Sequence, residues 1–119
     1  MSAELDVAAG RLAELSGWID GWVAASTEAE QLWGRTAKIA EEHGEVVKAI
    51  IGYLSQNPRK GEIYTLDGVV DELLDVAVTA LGAVESIRGN DGRALSLLTE
   101  KIGAVHGRLH RYRGSAVPA

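Results

Sequence analysis

Between Ala3 and Ala25, Leu5, Ala8, Leu12, Leu15, Ile19 and Trp22 recur at spacings of three and four. That is the period of one helix face, so a first amphipathic helix is predicted here. Gly10, Gly17 and Gly21 weaken it, each by up to about 1 kcal/mol relative to alanine. Thr27 followed by Glu30 fits a capping box, which starts a second helix near Glu28 and carries it to about Ser55. Its apolar face holds Ile39, Val46, Val47, Ile50, Ile51 and Leu54. Gln56 to Gly61 reads as a loop from its Asn-Pro and Gly content. Thr65 or Asp67 can cap a third helix reaching Ile87, with Leu66, Val69, Val70, Leu73, Val76, Ala77, Ala80 and Val84 expected to be buried. Gly89-Asn90-Asp91-Gly92 supplies a stop and a new cap. A fourth helix then runs from about Gly92 to Tyr112, with Leu95, Leu98, Ile102, Val105 and Leu109 facing inward. No strand pattern or internal repeat is present. Four helices with short links predict an all-α fold, an antiparallel four-helix bundle, as a single domain over residues 1–113. The tail 114–119 is expected to fray.

Composition narrows the chemistry. In 119 residues there is no cysteine, which excludes disulfides, thiolate metal sites and cysteine nucleophiles. No apolar run approaches the roughly 20 residues of a membrane span. Glu4 and Asp6 stand where a signal peptide would carry basic residues, so a cytoplasmic location is expected. The net charge is −5, from 17 acidic and 12 basic residues, which disfavours nucleic acid as the main partner. Five acids in two clusters, Glu41, Glu42, Glu45, Glu72 and Asp75, equal that surplus.

At about 100° per residue, Lys38, Glu42 and Glu45 line up along the second helix, with Glu41 beside them. Like charges so close repel unless a cation sits between them. Glu72 and Asp75 are three apart on the third helix, flanked by the small residues Gly68, Thr79 and Gly82. A hairpin of these two helices would bring both groups into one cleft. Carboxylates without cysteine or a well-placed histidine form a hard-oxygen set suited to Mg²⁺ or Mn²⁺. Mg²⁺ retains open positions for phosphate oxygens, so the ligand class expected is a polyphosphate. The spacing lacks the paired Glu-x-x-His of carboxylate-bridged di-iron bundles.

The Glu-Glu-x-Gly-Glu of residues 41–45, followed by Glu-x-x-Asp at Glu72 and Asp75, resembles the motifs of the MazG-like all-α nucleoside triphosphate pyrophosphohydrolases, related to the dimeric dUTPases. The likeness runs from about Trp22 to Arg108. It implies Mg²⁺-dependent cleavage of a nucleoside triphosphate to a monophosphate and pyrophosphate. On this chain it assigns the metal to Glu42, Glu45, Glu72 and Asp75, with Mn²⁺ as a substitute. Glu41 would orient or deprotonate the attacking water, a role it could trade with Glu42. Lys38 would bind a phosphate or screen the acids, and Lys101 and Arg108 would contact phosphates directly or across a subunit boundary. Trp33, about one turn before Lys38, is by its position the candidate to border the substrate pocket. Trp18, Trp22 and Asn57 are further candidates for contact with the base. The resemblance also implies a homo-oligomer, a dimer or tetramer. The competing reading is a non-catalytic helical interaction module that keeps a residual acidic cation-binding cluster. The basic run Arg108, His110, Arg111 and Arg113 fits a solvated helix end favoured by the C-terminal dipole.

Overall fold

The computed structural model describes residues 2–22, 27–56 and 63–114, without the side chain of His110. The predicted loop lies outside these residues except for Gln56, as do Asn57, the end of the first helix beyond Trp22, and the tail beyond Gly114. Four helices are present: α1 (Ala3–Trp22), α2 (Glu28–Leu54), α3 (Leu66–Ile87) and α4 (Ala94–Gly114). Among the described residues there is no strand, and no helix is long and apolar enough to cross a membrane.

Local chemistry sets the helix ends. Thr27 Oγ1 accepts from Glu30 N at 3.1 Å, and Glu30 Oε1 accepts from Thr27 N at 3.4 Å, a reciprocal cap on α2. Thr65, not Asp67, caps α3, its hydroxyl accepting from Gly68 N at 3.0 Å. The α3–α4 link turns through three left-handed residues, Gly89 (φ 74°), Asn90 (φ 60°) and Gly92 (φ 78°). It is closed by Glu85, which is 0% exposed. That carboxylate accepts from Gly92 N and Ala94 N, each at 2.8 Å. With Gly92 and Arg93 used in this turn, α4 starts at Ala94, two residues later than its sequence pattern predicts.

The helices α2 and α3 form an antiparallel hairpin. Gly52 abuts Tyr64, Glu42 meets Glu72 and Asp75, and Arg35 reaches Gly82. α1 runs in the direction of α3, its Ser16 hydroxyl donating to Gly82 O at 3.1 Å and its Asp20 accepting from Ser86 at 2.8 Å. Small residues at this crossing let the backbones approach, so α1 buries Ala9, Leu12 and Ser16 rather than its full apolar stripe. Leu5, Leu15, Ile19 and Trp22 of that stripe are exposed.

The expected core is corrected on the other helices as well. On α2, Val46 and Ala49 are buried, but Val47, Ile50, Ile51 and Leu54 are exposed. On α3, Val69 is buried while Leu66, Val70 and Leu73 are exposed. α4 packs on α1 and α3 through its first turn, where Ala94 is buried. From Leu98 to Leu109 every residue is exposed, so α4 does not close a four-helix core. The physical reason is common to all three: each wide apolar stripe exceeds the surface that the neighbouring helices of the same chain cover.

Candidate metal centre and adjoining cavity

Helical register puts the acids and the apolar residues on opposite sides of the α2–α3 hairpin. On α2 the contact with α3 centres on Val46, with Glu42 and Glu45 to one side and Val47, Ile50 and Leu54 to the other. On α3, Glu72 and Asp75 lie on that same acidic side, and Val70 and Leu73 on the opposite one. Glu42, Glu72 and Asp75 thereby each offer a carboxylate oxygen within 4.8 Å of the others. In an octahedral Mg²⁺ shell neighbouring ligands stand roughly 3 Å apart and opposite ones roughly 4.2 Å, so the three oxygens would draw closer together around a bound ion. Three hard oxygen donors on two helices fit Mg²⁺ or Mn²⁺ in donor type and span.

Electrostatics describe a site short of positive charge. Desolvation, then the charges of Asp75, Glu45, Glu42 and Asp71, raise the Glu72 carboxyl above its ordinary value. Lys38 is the nearby cation, with Nζ 3.5 Å from Glu42 and 3.4 Å from Glu41. Hydrogen bonding to Glu41 and its charge raise the lysine. Among the described residues no lysine or arginine pairs with Glu45, Glu72 or Asp75.

The remaining sequence-predicted residues fall as follows. Glu45 is exposed and outside the three-oxygen group, though its charge acts on Glu72. Glu41 is exposed, held by Lys38 one turn away from the group. Lys101 and Arg108 stand exposed on α4 and form no ion pair with these carboxylates. Gly68 lies beside the group, sharing a 290 Å³ cavity with Glu45, Lys48 and Glu72.

A larger cavity of about 650 Å³ opens between α1, α2 and α3 on the acidic side of the hairpin. Its walls include Trp18, Trp22, Leu12, Val78 and Thr79, and Lys38 sits on its lining. Lys38 therefore borders both the cavity and Glu42. Trp18 and Trp22 stack with centroids 5.4 Å apart. Trp33 is 74% exposed and does not line this cavity.

Sequence reasoning missed the polar knot behind the cavity. Asp20 accepts from Arg35 at 2.9 Å, Ser86 at 2.8 Å and Asn90 at 2.9 Å, and Arg35 also donates to Ser16 O at 2.9 Å. Burial pushes the Asp20 carboxyl up, but the hydrogen bonds from Asn90, Arg35 and Ser86 and the Arg35 charge together bring it below its ordinary value. Asp20 and Ser86 are 66 residues apart, and no local pattern joins them.

Fold and site together define an all-helical protein with carboxylates converging from a helical hairpin. Comparison with protein-family models, with curated proteins and with solved structures finds no match.

Proposed function

We propose that this chain is a Mg²⁺-dependent nucleoside triphosphate pyrophosphohydrolase. The observation that carries the reading is the convergence of Glu42, Glu72 and Asp75 beside a cavity large enough for a nucleoside, with Lys38 between the two. The order and spacing of the Glu-Glu-x-Gly-Glu and Glu-x-x-Asp motifs support it independently.

In this reading Glu42, Glu72 and Asp75 hold Mg²⁺, with Glu45 completing the acidic side. The ion, when bound, neutralises charge on the phosphate oxygens and orients the triphosphate. Lys38 contacts a phosphate. Glu41 or Glu42 positions a water and takes its proton as the water oxygen bonds to phosphorus. The bridging P–O bond between the α and β phosphates then breaks, and pyrophosphate leaves from a nucleoside monophosphate. The apolar cavity with the Trp18–Trp22 pair takes the nucleoside end, in place of Trp33, the pocket candidate that its position one turn before Lys38 suggested.

The test is product analysis with a panel of ribo- and deoxyribonucleoside triphosphates in Mg²⁺ and in Mn²⁺. Monophosphate plus pyrophosphate is expected, abolished by EDTA and by Asp75→Asn. Folded protein that turns over none of them would leave the reading without its reaction.

A further inference from the structure

Most of the polar side chains on the wall of the 650 Å³ cavity are already committed within the chain. Arg35 is held by Asp20 and Ser16, and the Ser16 hydroxyl donates to Gly82 O. The Thr79 hydroxyl donates to Asp75 O at 2.7 Å, and Lys38 pairs with Glu41 and Glu42. Glu30 and Gln31, neighbours on α2, also line the cavity and are not committed in this way. Glu30 Oε1 serves the α2 cap, accepting from the Thr27 hydroxyl at 3.0 Å, which anchors the carboxylate. Its Oε2 has no partner among the described residues, nor has the carboxamide of half-buried Gln31.

These two side chains stand at one end of the cavity and Lys38 at the other. Gln31 precedes Lys38 by seven residues, about 10 Å along the helix axis. Between them the wall is Gly34, where a Cβ would stand in open space. On α1, the stacked Trp18 and Trp22 form the aromatic wall. A nucleoside laid in this space, with its phosphates at Lys38, carries its base edge toward Glu30 and Gln31. Stacking on tryptophan holds any base, because every base has a π-face, so the choice of base falls to the polar end.

We propose that the cavity selects guanine and that Glu30 and Gln31 read it; the proposal rests on the cavity being the nucleoside end of the site. A carboxylate accepts hydrogen bonds and donates none. Guanine alone among the common bases offers two adjacent donors on one edge, N1–H and the N2 amino group. Both can meet the Glu30 carboxylate as charge-assisted hydrogen bonds, the stronger kind. Beside them guanine O6 is an acceptor, and the Gln31 amide supplies its donor. Adenine and cytosine place a ring-nitrogen lone pair beside their amino group. Uracil and thymine flank N3–H with two carbonyl oxygens. Each of these turns a lone pair on the carboxylate, an unpaired contact that costs affinity.

The experiment is equilibrium dialysis of the full chain, in Mg²⁺, against the 5′-monophosphates of guanosine, adenosine, cytidine and uridine. The guanosine nucleotide is expected to bind at least about tenfold more tightly than the other three. Inosine monophosphate, which lacks the N2 amino group, should bind less tightly than the guanosine nucleotide. Xanthosine monophosphate, with an oxygen at that position, should bind no better than adenosine monophosphate. Glu30→Gln keeps the cap, since glutamine also serves at that position of a capping box, and should erase the preference by weakening the guanosine nucleotide alone. Gly34→Leu puts a side chain into the open space and should weaken all four alike. Equal affinities for the four, no binding of any, or an undiminished preference in either variant would overturn the proposal. If a variant does not fold, the nucleotide series on the parent chain decides alone. Guanine-selective binding without turnover of any triphosphate would leave this recognition standing and the hydrolase reading fallen. Turnover of all four triphosphates, with equal affinity for all four monophosphates, would do the opposite.

Discussion

Arg35 Nη2 on α2 lies 2.9 Å from Asp20 Oδ1 on α1, a contact that ties the two helices behind the large cavity. The same carboxylate holds Ser86 of α3 and Asn90 of the following turn, so one acid joins four segments. Asp20→Ala is expected to cost about 2–4 kcal/mol in urea denaturation, because Arg35 loses its partner in a part-buried site. The folded-state carboxyl is lowered, so its stabilisation is present above pH 3.8, the ordinary value, and is lost as pH falls through the lowered one. The gap between parent and variant in acid titration should therefore begin to narrow near pH 3.8 and go on narrowing as pH falls through the lowered value. A constant gap down to lower pH would mean that Asp20 acts through packing alone.

Two glycines on α2 separate close packing from open helix. A Cβ on Gly52 would run into the ring of Tyr64, which packs the hairpin end against α2. Gly52→Ala should destabilise by about 1–3 kcal/mol, with recovery in a Gly52→Ala, Tyr64→Ala double variant. Gly44, inside the acidic motif, faces open space, with nothing within 4 Å of where a Cβ would stand. Gly44→Ala should stabilise by roughly 0.5–1 kcal/mol through helix propensity. Thermal melts of both variants check the pair, and equal shifts would contradict this packing.

Among the described residues Glu85 is the fully buried acid, yet both its oxygens are met by backbone N–H groups of the α3–α4 turn. Glu85→Gln keeps the shape but turns an NH₂ toward either Gly92 N or Ala94 N, leaving a donor facing a donor. A loss of about 2–4 kcal/mol is expected, with hydrogen exchange quickening first at Gly92 and Ala94. Unchanged protection at those two amides would remove Glu85 from the capping role.

Helix existence and most helix starts were legible because their causes are local. Thr27 and Glu30 are three residues apart, and Thr65 reaches Gly68 within a single turn. The meeting of Glu42 with Glu72 and Asp75 was also legible, since helical register and a hairpin suffice to predict it. The covering of each apolar stripe was not. Periodicity identifies Val70, Leu73, Ile102 and Val105 as residues that prefer burial, but carries no information about which chain supplies the cover. Nor could spacing join Ser16 to Gly82 or Asp20 to Asn90, where single hydrogen bonds between distant polar groups fix how α1 lies on the hairpin. Nor does spacing tell that Trp18 and Trp22 line the large cavity and Trp33 does not, because the cavity depends on where α1 lies.

Glu72 supplies a test of the cation that is independent of turnover. Its carboxyl is raised, first by desolvation and then by Asp75, Glu45 and Glu42, so the folded state resists its ionisation. The sign follows: Glu72 costs the fold nothing below pH 4.5, the ordinary value, and destabilises it as pH rises through the raised one. A divalent cation between the carboxylates reverses that loss by favouring the ionised form, and its binding displaces the proton. Mg²⁺ should therefore raise the melting temperature at pH 7 and have little effect near pH 4. Glu72→Gln removes one negative charge and one ligand together. In EDTA at pH 7 it should melt higher than the parent, and Mg²⁺ should add much less to it. Thermal melts in MgCl₂ against NaCl of equal ionic strength make the comparison, since general screening acts alike in both salts. Equal shifts in the two salts would assign the effect to screening and leave the three carboxylates without a bound ion.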